Sequence, residues 1–193
     1  MLSFCDYHAL QHETPDFNPN FEVFDNLVYL RPFAEMPALY LTHNAQSVEN
    51  TGFWYRNFEY AIEKERGFDF HEDLFQPFSL KFDLAQDAIV IASTEPQQLS
   101  DALSFRMTEI ARRDALIMQA EAKDEFTKQL VLAADQFIVK RGEGQTVIAG
   151  YPWFSDWGRD TMIALNGLTI ATNRTEIARQ ILLEFSNHLS MGM

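Results

Sequence analysis

The sequence predicts an α+β fold with a β-rich half first and a helical half after it. Three observations carry that expectation: short alternating apolar runs up to residue 95, a change to helical period after Pro96, and an aromatic share of 13%, with 17 Phe, that promises a well-filled core. At 193 residues, 47% hydrophobic and with only 8 Gly and 7 Pro, the chain has the makeup of a folded protein.

In the first half, FEVF (21–24), LVYLR (27–31) and ALYLT (38–42) are strand-like runs separated by Asn, Asp and Pro. FWYRNFEYAIE (53–63) follows as a further strand, with Trp54, Phe58, Tyr60 and Ile62 on one face and Arg56 the polar exception. Alternation resumes through SLKFDLAQDAIVIAST (79–94). Between them, ERGFDFHEDLFQPF (65–78) is less regular and is expected to be a loop carrying short extended pieces.

Four helices are expected after Pro96. In 98–120, Leu103, Met107, Ile110 and Ile117 form a stripe that Asp114 interrupts. In 123–140, Phe126, Leu130, Ala133 and Phe137 repeat at i, i+4, i+7 and i+11. GEGQTVIAG (142–150) reads as a Gly-punctuated turn and a brief apolar run. Residues 159–172 are apolar on most faces, as in a helix buried between others. The last helix is expected to start at Asn173 as N-cap, with Glu176 at the capping-box spacing and Ala178, Leu182, Phe185 and Leu189 as its buried stripe. The resulting division is a β-rich part at 1–95 and a helical part at 96–193.

Charge narrows the partners. With 28 acidic against 15 basic residues the formal net charge is −13, which repels nucleic acid and anionic lipid and suits a neutral ligand. Cys5 is the single cysteine, so neither an intrachain disulfide nor a thiolate zinc site is expected. Asp6, Glu13, Pro15 and Asp16 interrupt the start, and no apolar run approaches the roughly 18 residues of a membrane helix. A cytoplasmic location is the resulting expectation.

Several polar clusters invite a chemical reading and do not sustain it. His8 and His12 are four apart with Glu13 beside them, but HALQHETPD has a weak helical pattern and no further ligand nearby. His71, Glu72 and Asp73 alternate sides in an extended segment, so a solvated or loop-structuring role is expected. Glu59 lies three residues from Arg56 among aromatics, and a structural ion pair outweighs a functional buried carboxylate there. No phosphate loop, serine elbow or Cys/His arrangement is present, and no metal or organic cofactor is expected.

The richest stretch is YPWFSDWGRD, residues 151–160. One reading is a packed start of a helix, with Ser155 or Asp156 as cap. The other is a binding site. Arg159 and Asp160 are charged at the mouth of an apolar helix, where charge is costly unless paired or liganded. Flat Trp faces suit the C–H faces of sugar rings, and Gly158 would let backbone approach a ligand. Arginine beside aspartate keeps the carboxylate ionised, which suits an acceptor of sugar hydroxyls and not a general acid.

AGYPWFSDWGRDTMIALNGLTIATNR (149–174) resembles the signature of bacterial and archaeal glycogen debranching enzymes, the amylo-α-1,6-glucosidase family. DYHAL (6–10), WYRNFEY (54–60), RGFDFHEDLFQP (66–77) and VIAST (90–94) resemble the same family in the same order, so the likeness spans nearly the whole chain. One departure is Asn166, where the family pattern has proline. The resemblance implies the C-terminal part of a β-sandwich domain followed by the first helices of an (α/α)6 barrel. It also implies hydrolysis of α-1,6-linked branch glucose in glycogen or limit dextrin. By that match Arg159 and Asp160 hold the non-reducing glucose, and Trp157 and Trp153 shape the pocket.

The family's catalytic carboxylates are expected beyond a segment resembling LPNRFPD and an Asn-x-x-Asp-Ala block, and neither occurs here. The glycine-rich start expected before DYHAL is also lacking. The residues after Pro96 are too few for six helix pairs at a typical length of about 12 residues per helix. The chain therefore reads as a truncated or internal piece, inactive alone, that binds α-glucan and self-associates through an exposed apolar helical face. The alternative is a non-catalytic carbohydrate-binding or scaffold fragment.

Overall fold

A computed structural model describes residues 10–150 and 154–188. Within them the fold is α+β: antiparallel sheets accompany five α-helices, and the chain divides into two compact units that meet in sequence at Arg106 and Met107.

In the first unit, β1 (Phe21–Phe24), β2 (Leu27–Leu30), β3 (Leu39–His43) and β6 (Val90–Ser93) form one antiparallel sheet in the order β1-β2-β3-β6. The two-residue turn between β1 and β2 puts Asp25 at φ 44°, a conformation that aspartate tolerates better than most residues. Alternation works as the sequence predicts: Val28 and Leu30 are buried, while Tyr29 faces the other way against Tyr40 at 5.2 Å.

A long ribbon pairs β4 (Ser47–Glu59) with β5 (His71–Lys81). This corrects the expected loop over 65–78, most of which is strand. Polar residues hid it: Glu72 and Asp73 are both buried, not solvated, and each has a partner. Tyr60 donates its hydroxyl hydrogen to the Glu72 carboxylate. Asp73 accepts the backbone N–H groups of Glu13 (2.9 Å) and Asn57 (2.8 Å), so the loop-structuring half of the expectation holds. Burial works to raise the Asp73 pKa, but those two N–H groups and nearby His12 outweigh it and hold the carboxyl below its ordinary value.

The strand expected over 53–63 stops at Glu59, and Ile62 lies exposed in a short helix, α1 (Ala61–Glu65). Two register shifts, between Asn50 and Phe53 and between Tyr55 and Phe58, break the simple alternation assumed for its faces. Trp54 points into an aromatic cluster with Phe17 (4.9 Å) and Phe75 (4.9 Å), and Phe33 packs on Phe17 at 5.7 Å. Glu59 is not a buried carboxylate. It pairs with Lys64 at 3.1 Å, which holds its pKa below the ordinary value, while Arg56 pairs with Glu13 at 2.6 Å.

His43 gives this unit a pH dependence. It is buried, its Nδ1 accepts the Ala45 N–H at 3.1 Å, and its Nε2 makes no hydrogen bond. Desolvation lowers its pKa below 6.5. The unfolded chain therefore takes up a proton near pH 6.5 that the folded chain resists, so stability is lost as pH falls below that value. The slope contributed by one such group is at most about 1.4 kcal/mol per pH unit. Urea midpoints between pH 7.5 and 5 should fall more steeply in the native chain than in His43→Gln; parallel slopes would contradict this.

Helix α2 (Asp101–Gln119) has no buried residue: the stripe read from sequence exists, but Leu103, Met107 and Ile110 are exposed. In the second unit, Asp124 caps α3 (Glu125–Asp135) by accepting the Thr127 N–H at 2.9 Å. The buried side of α3 carries Val131 and Ala134, while the expected stripe residues Phe126, Leu130 and Phe137 are exposed. A three-stranded sheet follows, β7 (Ile138–Arg141), β8 (Gly144–Gly150) and β9 (Phe154–Asp156); the helix expected over 123–140 ends at Asp135 and its last residues join this sheet, while 142–150, expected as a turn and a brief run, supplies β8.

Helices α4 (Gly158–Leu168) and α5 (Thr175–Ser186) pack beside β8 through a core of Val147, Leu165, Ala178 and Ile181, with Phe185 against it. Leu182, expected inside, is exposed, and Leu189 lies outside the described residues. Asn173 is not the N-cap of α5. It closes a 3-10 turn (Ile170–Thr172) in the left-handed conformation, φ 57°, and Arg174 holds the cap position without a side-chain cap bond. Asn173 Nδ2 instead donates to the Gln119 carbonyl and Gln119 Nε2 to the Asn173 carbonyl, both at 2.9 Å.

Candidate functional site

The candidate stretch is built on the β8–β9 hairpin and the first turn of α4. Register pairs Ile148 with Asp156 and Gly150 with Phe154, so the chain leaves the sheet at Asp156 and turns into the helix one residue later. Asp156 is anchored from behind: Arg141 lies at 3.0 Å and the Thr146 hydroxyl donates to it at 3.1 Å. Neither Ser155 nor Asp156 is the helix cap; Trp157, extended at φ −117°, ψ 124°, holds that position without a side-chain cap bond. Tyr151, Pro152 and Trp153 lie outside the described residues.

Helical phase then sorts the side chains. Thr161 is fully buried, its hydroxyl donating to the Val147 carbonyl at 3.3 Å, and Leu165 one turn on enters the core. Arg159 and Asp160 are turned the other way, while Trp157 precedes the helix at its cap position. Their side chains are open to solvent, Arg159 76% and Asp160 42% exposed, with Trp157 49% exposed as a residue. The structure thus brings Trp157, Arg159 and Asp160 together at one helix mouth. Asp160 in the first turn is favourably placed towards the positive end of α4.

The Arg159–Asp160 contact is long, 3.4 Å, and exposed, so its contribution to stability is small. That leaves both charged groups available to a ligand. The φ of Gly158 is not left-handed, and a methyl group there would meet the Phe185 ring at 3.4 Å, an ordinary contact. Nothing in the structure requires glycine there.

An open cleft of about 670 Å³ lies elsewhere in the same unit and includes none of these residues. Its charged side chains are paired. Arg174, almost fully buried, donates to Asp135 at 2.9 Å, and Arg112 reaches both Asp135 and Glu109 at 2.7 Å. Burial lowers the Arg174 pKa and Asp135 opposes that effect. Sequence reasoning did not single out this network, because no spacing links residues 112, 135 and 174. Among the described residues no group of three or more His, Cys, Asp or Glu could hold a metal ion, and no helix is long and apolar enough to cross a membrane. His12, raised as a ligand, lies 3.4 Å from Asp73, and His8 is outside the described residues.

Two family models match the chain in order. A glycogen debranching enzyme N-terminal model covers residues 1–91, and an amylo-alpha-1,6-glucosidase model covers residues 132–193. The chain belongs to the glycogen debranching enzyme family. No curated protein and no solved structure matches it. The family brings with it a role in glycogen debranching and an α-glucan substrate class. The candidate site lies inside the glucosidase match and the buried Glu72–Asp73 pair inside the N-terminal one.

Proposed function

We propose that the chain contributes the sugar-gripping part of an amylo-α-1,6-glucosidase pocket, for removal of α-1,6-linked branch glucose from glycogen and limit dextrin. Arg159 and Asp160 bind hydroxyls of the terminal glucose, Trp157 lies against its C–H face, and Trp153 completes the wall. In this reading 1–95 is part of a β-sandwich domain and 96–193 the start of an (α/α)6 barrel, and the location is cytoplasmic. The observation that carries the proposal is the solvent-open Trp157, Arg159 and Asp160 group at one helix mouth, inside the glucosidase match.

The chemistry assigns this chain binding and not proton transfer. An inverting glucosidase needs an acid and a base carboxylate roughly 6.5–9.5 Å apart with water between them. Asp160 beside Arg159 is suited to accepting hydroxyl hydrogens, so the acid and base are expected outside this group. The exposed apolar faces of α2 and α3 support self-association as a further part of the proposal, which sedimentation would test.

Calorimetry with maltooligosaccharides supplies the main test. The native chain should bind, and Asp160→Ala should weaken binding by about tenfold or more, the loss of a charge-assisted hydrogen bond. The pure chain should release no glucose from limit dextrin. Unchanged affinity in Asp160→Ala would remove the assignment, and glucose release would overturn the division between binding and catalysis.

A further inference from the structure

Strand β4 carries a row of three half-exposed aromatic residues beside the buried Leu74 and Glu72 of β5. Phe53, Tyr55 and Phe58 pair with Gln76, Leu74 and Glu72, which are successive same-face positions of β5. Tyr55 to Phe58 is three residues against two on the partner, so a bulge absorbs the extra one, with Asn57 at φ 55°. Without that bulge Phe58 would turn to the opposite face. The three rings therefore share one face of β4, opposite to Trp54, which packs on Phe17 and Phe75. They are 59%, 45% and 43% exposed.

The middle ring is also held. The Tyr55 hydroxyl hydrogen-bonds Gln76 Oε1 at 3.1 Å, and Gln76 Nε2 donates to Ser79 Oγ at 2.9 Å. At its end the Phe58 ring packs edge-on against Tyr60 at 5.4 Å. The row runs roughly 13 Å along the strand, four paired steps of about 3.3 Å each, longer than a single sugar ring.

We infer that Phe53, Tyr55 and Phe58 form a second α-glucan contact, in the compact unit that does not contain Asp160. The inference rests on the glucan reading above and adds a site to it. Flat apolar faces beside a hydroxyl and a carboxamide match the alternating C–H faces and hydroxyl edges of a glucan chain. A net charge of −13 disfavours polyanions as the occupant. The family's substrate class supplies a neutral, hydroxyl-rich polymer with many equivalent chain ends. On such a polymer two modest contacts reinforce each other by raising effective concentration.

The test is retardation of the full chain in native gels containing glycogen, with maltoheptaose calorimetry alongside. The Phe53→Ala/Phe58→Ala pair should keep its circular dichroism and bind glycogen about tenfold more weakly. Phe53→Leu/Phe58→Leu keeps apolar area but not flat faces and should lose most of the same affinity. Full retention by the leucine pair would overturn the inference. So would loss of affinity in Asp160→Ala with none in the alanine pair, an outcome that leaves the first glucan site standing. If the alanine pair instead dissociates an oligomer and leaves glycogen binding unchanged, the row is a contact between copies and the inference fails. Absence of glycogen binding by the native chain would remove both readings together.

Discussion

Asp135→Ala is expected to destabilise the unit formed by residues 107–193 by about 3–5 kcal/mol, the loss typical when one partner of a buried pair is removed. Arg174 is almost fully buried and charged, and its guanidinium spends its donors on Asp135, the Thr172 hydroxyl and the Leu168 carbonyl. Only Asp135 supplies a countercharge within that set. Without it, burial that already disfavours the guanidinium's charge has nothing to oppose it. The control is Arg112→Ala. Arg112 touches the same carboxylate from a half-exposed position, where pairs contribute about 1 kcal/mol or less. Urea unfolding would compare the two, and equal losses would show that the buried pair is not what matters.

Ile181→Ala should cost about 2–5 kcal/mol, while Leu182→Ala should stay within about 0.5 kcal/mol. Ile181 has no exposed surface and sits among Val147, Leu165 and Ala178, where β8, α4 and α5 meet. Truncation there opens a cavity between a sheet and two helices, and such a junction collapses poorly. Leu182 is one residue on, 47% exposed, and loses little by truncation. A larger effect at Leu182 than at Ile181 would rotate α5 by a third of a turn and contradict the packing described.

That contrast also shows where sequence pattern reaches its limit. Strands β1 to β3 were legible because alternation and turn residues agree, down to the Asp25-Asn26 turn. Helices α2 to α5 were legible as helices, but not their inward faces. On α5 both Ala178–Leu182–Phe185 and Ala178–Ile181–Phe185 are acceptable apolar spacings, and only packing on β8 selects the second. Strand β5 was lost because His71, Glu72, Asp73 and Pro77 suppress its apolar pattern, although their partners make most of them compatible with burial. Asn173 looked like a helix start, yet a side chain that tolerates left-handed backbone ends a turn equally well. At the candidate site, residue identities were readable and geometry was not. Exposure of Asp160 and burial of Thr161, its neighbour, follow from helical phase that sequence alone leaves unset.

The two backbone bonds to Asp73 have a kinetic consequence. They join residues 60 and 16 positions apart, and the second cannot form until β4 and β5 have paired and the bulge at Asn57 has turned its N–H inward. Closing the 60-residue separation to Glu13 carries the larger entropic penalty and gains nothing until the ribbon exists. The N-terminal strap should therefore lock last during folding and release first during unfolding. Its removal by Asp73→Ala would appear as a faster unfolding limb, with the refolding limb nearly unchanged.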